Sequence, residues 1–214
     1  MPLNVMFSGT NADDESRKYL KAIIKNIKPI YLIDVDVFSN TEDFMKFVST
    51  IKGEYVLPVL PLDVDSKKII WSCFDDGIIK DIENVSFFEA PPITITAEAI
   101  LTELEKRKIQ IIGTKVAVFN RSNVIGLPLT LELIKKRATV FNVNKLTSEE
   151  DVVDIIKMSD IVITATGKRH QIDKRLLNDK VVVDLSGDTD YEDSIKSVPT
   201  IRTLKKRWEK VNEN

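Results

Sequence analysis

The chain predicts an α/β protein of two domains, a doubly wound parallel sheet and a second, smaller α/β domain. Three observations carry that expectation. Apolar, β-branched runs alternate with amphipathic segments along nearly the whole length. The runs lack polar alternation, the mark of strands covered by helices on both faces. The Pro91–Pro92 pair then interrupts the series. The expected boundaries are therefore residues 1–93 for the smaller domain and 94–195 for the larger, with 196–214 as a helix packing back on the first.

In order, residues 3–8 form a strand and 13–27 a helix, with Tyr19, Leu20, Ile23, Ile24 and Ile27 at helical spacing. Asp13 or Asp14 supplies its cap, because a short carboxylate accepts the free N–H groups of a first turn. Residues 29–35 form the next strand, and 40–53 a helix capped by Asn40 or Thr41 and stopped at Gly53. The strand from Tyr55 must finish at Pro58 or Pro61, since proline has no N–H for a ladder. A short helix near residues 66–74 and a loop over 80–92 follow. The second series predicts helices over 95–108, 124–137 and 148–158, and strands over 115–120, 138–143, 160–166 and 180–186. Residues 171–179 form a turn or short helix, and an amphipathic helix ends the chain. No internal repeat is evident.

Composition narrows the function classes. With 43% apolar and 30% charged residues among 214, collagen-like, disordered and membrane chains are excluded. Lysine and arginine (31) nearly cancel aspartate and glutamate (33), which argues against nucleic acid as a partner. No run approaches the ~18–20 apolar residues of a membrane span, so no membrane partner is expected. No secretory pattern opens MPLNVMFSGTN, and a cytoplasmic location is expected. Cys73 and His170 are the only residues of their types, which excludes an intrachain disulfide, a cysteine zinc site and a mechanism built on several histidines.

Several segments are candidates for chemistry. Residues 116–129 run from strand through tight turn to helix start, where α/β sheets present backbone N–H groups to phosphate. Gly126 is the only glycine there, so spacing leaves a structural turn and a phosphate cradle both open; Arg121 favours the cradle. Residues 163–170 end a strand of the same sheet with small side chains that admit a flat ring, or simply turn. His170, between cations and turn, is expected as a solvated loop residue. Asp81 and Glu83 sit in the acidic 80–84 stretch, either solvated or holding a pterin-like or cationic group. Tyr19 is a core or a stacking residue. Asp34 and Asp36 have metal-like spacing without a third ligand. Arg202, Lys205, Lys206, Arg207 and Lys210 make a solvated basic face.

The block GTKVAVFNRSNVIGLPLTLELIKKRATVF, with SDIVITATGK and VVVDLSGDTDY, resembles the methylenetetrahydrofolate dehydrogenase/cyclohydrolase family. Asn120-Arg121-Ser122 stands where that family has Gly-Arg-Ser, and looks like its monofunctional, NAD-dependent branch. The resemblance implies a Rossmann NAD(P)-binding domain beside a folate-binding domain, and covers most of the chain, faintly in the first half.

It also implies residue roles. Tyr19 falls on the tyrosine that stacks near folate, Leu60 and Pro61 on a Leu-Pro of the folate site, and Glu83 on the folate-binding aspartate. Asn120, Arg121, Ser122 and Gly126 form the cofactor turn. Ala165, Thr166 and Gly167 flank the nicotinamide half, and Asn144 and Lys145 meet the ribose 2′ position. The family's catalytic lysine and glutamine are replaced by Ile23 and Val59, which transfer no protons. The expected function is hydride transfer from 5,10-methylenetetrahydrofolate to NAD (NADP being possible), with Tyr19 and Glu83 as catalytic residues and no cyclohydrolase activity. A folate substrate and a homodimer follow from the resemblance. The alternative is a degenerate member that binds nucleotide or folate without turnover.

Overall fold

The computed structural model describes residues 1–84, 93–168 and 172–213. It divides into two compact units, Met1–Pro91 with Ile201–Asn214, and Pro92–Thr200.

The first unit runs β1 (Leu3–Phe7), α1 (Asp14–Asn26), β2 (Ile30–Asp34), α2 (Thr41–Thr50), β3 (Tyr55–Pro58), α3 (Val64–Asp75) and β4 (Lys80–Asp81). Its four strands are parallel, in the order β2-β1-β3-β4. The chain begins centrally, adds β2 on one side and β3 on the other, so the sheet reverses direction at β1. Local chemistry sets each helix start. Asp13 accepts from Ser16 N at 2.7 Å, Asn40 from Asp43 N at 2.9 Å, and Asp63 from Ser66 N at 2.8 Å.

The second unit carries α4 (Ile95–Lys106), β5 (Lys115–Phe119), α5 (Gly126–Lys135), β6 (Thr139–Val143), α6 (Glu149–Met158), β7 (Ile161–Thr164) and β8 (Val181–Asp184). Its order is β6-β5-β7-β8, again parallel throughout. Alternate residues of β5 serve two cores: Val116 and Val118 pack with Ile100, Leu104, Leu129 and Leu133, while Ala117 and Phe119 pack with Ile156, Leu177 and Val182. A 3-10 turn spans Lys174–Leu177.

The last helix, α7 (Thr200–Glu213), belongs to the first unit for all but its first residue. Trp208 is buried there, edge-on to Tyr55 with ring centroids 6.2 Å apart.

The α/β class holds, with one four-stranded parallel sheet in each unit. Two other expectations need correcting. Strands β2 and β6 are not covered on both faces; Tyr31 and Leu32 are exposed because β2 is an edge strand. Lys80 and Asp81 are not loop but a short strand beside Tyr55 and Val56. They were illegible because only pairing with β3 makes two polar residues a strand. The remainder of that predicted loop, 85–92, and His170 lie outside the described residues. Among the described residues, no helix is long and apolar enough to cross a membrane.

Candidate active site

The turn after β5 is built around one side chain. Asn120 Oδ1 accepts from Ser122 N at 2.7 Å and Gly126 N at 3.1 Å, while its Nδ2 donates to Ala165 O at 2.6 Å. The carboxamide thus closes the β5–α5 turn and fastens it to the end of β7. Its own carbonyl accepts from Asn142 Nδ2 at 3.0 Å. Gly126 starts α5 against this backbone, where an added Cβ would stand 1.8 Å from Asn120 O.

This geometry modifies the expected phosphate cradle. Two backbone donors, Ser122 N and Gly126 N, are taken by Asn120, and Leu127 N donates to Ser122 O at 3.0 Å. The first turn of α5 therefore has few N–H groups left for an anion. The physical reason is the side chain at 120, since a glycine there carries no acceptor.

Positive charge comes instead from side chains. A cavity of about 1050 Å³ opens at the carboxyl ends of β5, β6 and β7. Of the nine expected cofactor residues, Asn120, Arg121, Ser122, Asn144, Lys145 and Thr166 line it. Arg121 and Lys145 are exposed, and among the described residues neither has an intramolecular hydrogen bond or ion pair. Gly126, Ala165 and Gly167 do not line it and act through backbone: close approach, the carbonyl that anchors Asn120, and a turn at φ +72°.

A buried carboxylate shapes the opposite wall. Asp188, fully buried, accepts from Thr164 Oγ1, from Thr166 N at 2.7 Å and from Lys168 N at 3.0 Å. This fixes the Thr166–Lys168 turn. Sequence reasoning missed Asp188, which lies 20 and more residues beyond its partners. It also missed the apolar side of the cavity, formed by Val143, Val152, Ile156 and Leu176. Those residues show ordinary core spacing, so no local signal set them apart.

Size, apolar wall and unpaired cations together fit a pyridine dinucleotide. Arg121 and Lys145 carry the kind of donors that bind phosphate or ribose oxygens. Asn144 Oδ1 accepts from Leu146 N at 2.9 Å, leaving one lone pair, and Glu149 lines the same cavity as a second acceptor.

In the first unit the structure brings Tyr19 and Glu83 together. Glu83 follows β4 and is 5% exposed. The hydroxyl of Tyr19 is buried and has no hydrogen-bond partner among the described residues. Burial, and then the negative charge of Glu83, pushes that phenol well above the ordinary tyrosine range, while Arg207 pulls it down. Leu60 and Pro61 follow β3, half-buried and exposed, with no side-chain hydrogen bond or ring contact to Tyr19 among the described residues. Ile23 and Val59, at the family's lysine and glutamine positions, are buried among apolar groups.

One sequence reading gains a structural reason here and another is revised. Asp34 and Asp36 cap a turn: Asp36 accepts from Ser8 Oγ at 2.8 Å and Thr10 N at 2.6 Å, and Asp34 from Gly9 N at 3.2 Å. Among the described residues, no group of three or more His, Cys, Asp or Glu is placed to hold a metal. Arg207 is not on the solvated face with Arg202, Lys205, Lys206 and Lys210; it is half-buried and donates to Ile82 O at 3.1 Å.

Comparison with known proteins places the chain in a family. Residues 94–200 match the family described as tetrahydrofolate dehydrogenase/cyclohydrolase, NAD(P)-binding domain. A bifunctional protein FolD of Clostridium botulinum (strain Hall) is 33% identical over 233 aligned residues, covering 95% of this chain and 80% of that protein. One from Oceanobacillus iheyensis is 29% identical, covering 78% of this chain and 62% of that protein. Among solved structures, a FolD from Trypanosoma brucei complexed with NADP and an inhibitor has a TM-score of 0.80 at 20% identity, covering all of this chain and 88% of that one. The NAD-dependent 5,10-methylenetetrahydrofolate dehydrogenase of Saccharomyces cerevisiae has a TM-score of 0.66 at 17% identity, covering all of this chain and 89% of that one. With that match over 94–200 and a one-third-identical relative aligned along nearly its whole length, the chain belongs to the methylenetetrahydrofolate dehydrogenase/cyclohydrolase family.

Proposed function

We propose that the chain is a 5,10-methylenetetrahydrofolate dehydrogenase that uses NAD and lacks cyclohydrolase activity. The cavity at the ends of β5, β6 and β7, rimmed by Arg121 and Lys145, is the observation that carries the dehydrogenase assignment. When bound, the nucleotide accepts the hydride that turns the methylene bridge into a methenyl cation. The protein's part is orientation and electrostatics. Asn120 and Asp188 hold the two turns of the nucleotide site, Glu83 binds the pterin edge and offsets the positive charge that develops, and Tyr19 lays its ring against the pterin. Leu60 and Pro61 supply further folate contacts.

Hydrolysis of the methenyl bridge asks for more, namely a group that activates water and moves protons. Ile23 and Val59 offer no titratable atom, and Lys18 and Lys21 of α1 are exposed to solvent. NAD is preferred because Asn144 and Glu149 supply acceptors for a free 2′-hydroxyl. A second reading, NADP, is favoured by Arg121 and Lys145, which suit a 2′-phosphate. The chain is further proposed to be a cytoplasmic homodimer, testable by fractionation and light scattering.

The purified protein is to be mixed with 5,10-methylenetetrahydrofolate and either nucleotide, following reduced-nucleotide absorbance. Turnover with a higher kcat/KM for NAD supports the assignment, and a higher value for NADP selects the second reading. Binding without turnover identifies a non-catalytic member. Addition of 5,10-methenyltetrahydrofolate is expected to give hydrolysis no faster than buffer.

A further inference from the structure

The first unit holds a cation that no sequence pattern pointed to. Arg207 projects from α7 toward residues 82–84, more than 120 positions earlier in the chain. Its Nη1 donates to Ile82 O at 3.1 Å. With the Asn84 amide oriented to satisfy its neighbours, the same Nη1 donates to Asn84 Oδ1 at 2.9 Å, and Asn84 Nδ2 to Asp81 O at 3.3 Å. The guanidinium therefore grips the residues on either side of Glu83. The register of α7 is set beside it by buried Leu204 and Trp208.

Two further facts give this grip a purpose. Glu83 is a nearly buried carboxylate, and Tyr19 Oη is a buried polar atom without a partner among the described residues. Burying an unpaired hydroxyl is costly. Packing alone would favour phenylalanine, so the hydroxyl points to a group that arrives with a ligand. On α1 the next residue on the same face is Ile23, fully buried and unable to supply charge.

We infer that Arg207 is a positioning residue of the folate site, a fixed positive charge delivered by α7 that presents Glu83 as a carboxylate beside Tyr19. The inference rests on the proposed folate site and names the residue that organises it. An arginine stays protonated throughout the accessible pH range, so it holds charge without moving a proton. Glu83 is then an acceptor for the paired N–H groups of an aminopyrimidinone ring, and the Tyr19 hydroxyl gains a partner from the ligand.

The test separates charge from tethering. Arg207→Gln keeps a donor for the Ile82 carbonyl and removes the charge; Arg207→Lys keeps the charge and loses the fork. Tetrahydrofolate binding is followed by quenching of intrinsic fluorescence, and KM for each substrate by nucleotide reduction. Arg207→Gln is expected to weaken folate binding about tenfold or more and leave the nucleotide KM unchanged, with Arg207→Lys restoring binding to within about threefold of the parent. Parent-like folate affinity in Arg207→Gln overturns the inference, as does equal loss in both variants with unaltered thermal unfolding. If Arg207→Gln fails to fold, Arg207→Met and Arg207→Lys carry the same comparison, and equal affinities in those two overturn it. A parent protein that binds tetrahydrofolate but shows no turnover defeats the dehydrogenase assignment alone, because the binding measurements still test Arg207.

Discussion

The two units share one strand order and differ in what fills the end of the central strand. After β1, the turn at Ser8–Asn11 is fastened by the carboxylates of Asp34 and Asp36, which take the N–H groups of Gly9 and Thr10. The cavity beside it is about 350 Å³ and includes Asp36, Asp63 and Asp65. After β5, the same place is fastened by the neutral carboxamide of Asn120, and the cavity of about 1050 Å³ is rimmed by Arg121 and Lys145. In each turn, side-chain oxygens take at least two backbone donors. The first does so with negative charge, which repels a phosphate, and the second with none. Topology offers a ligand position at both ends, and the two positions differ in charge.

The contrast can be broken most severely at the glycines. Gly126→Ala places a Cβ 1.8 Å from a backbone oxygen that cannot yield without opening the turn. A loss of ~3 kcal/mol in thermal unfolding and abolished nucleotide binding are expected. Gly9→Ala meets the Asp34 carboxylate at 2.9 Å, a side chain that can rotate, so a loss of only ~1 kcal/mol is expected. Equal destabilisation of the two variants would show that the two turns are alike.

Charge is the next lever. Arg121→Ala is expected to weaken nucleotide binding about tenfold in a calorimetric titration, with thermal stability unchanged, because the exposed guanidinium makes no internal contact among the described residues. Unaltered affinity would remove Arg121 from the site and leave Lys145 as the main anion contact.

The smallest effect sharpens the first unit. Burial pushes the Asp36 carboxyl up, but hydrogen bonds from Thr10, Ser8 and Gly9 outweigh it and hold the group below the ordinary aspartate range. A lowered folded-state value contributes stability that is complete above the unfolded value near pH 4 and is lost as pH falls through the folded one. Asp36→Asn is therefore expected to lower stability modestly at pH 7, where the carboxylate's contribution is complete, and to flatten the fall below about pH 4 as the two proteins converge. An unchanged acid limb in urea titrations would assign that fall to the other capping carboxylates, Asp13 and Asp63.

Much of the architecture could be read locally. Asp13, Asn40 and Asp63 sit at helix starts and accept from the third residue onward, a contact that needs no other part of the chain. The repeated architecture of the two sheets was not legible, because equal strand orders arise from unlike residues: LNVMF and KVAVF are equivalent in position and share little chemistry. The site divides in the same way. The resemblance placed Asn120, Arg121 and Ser122 in the cofactor turn, yet spacing could not show that Asn120 takes the N–H groups of Ser122 and Gly126 and donates to the carbonyl of Ala165.

Helical and strand periodicity, helix caps and the expected α/β class were written in the order of amino acids, because each depends on residues within a turn or two of one another. Edge against central strands, the strand at Lys80–Asp81, the grip of Asp188 on the β7 turn and the arrival of Arg207 beside Glu83 depend on partners tens of residues away or more. Those partners meet only when each sheet has packed against the helices of its own unit, since burial of apolar surface, not local preference, brings distant segments together.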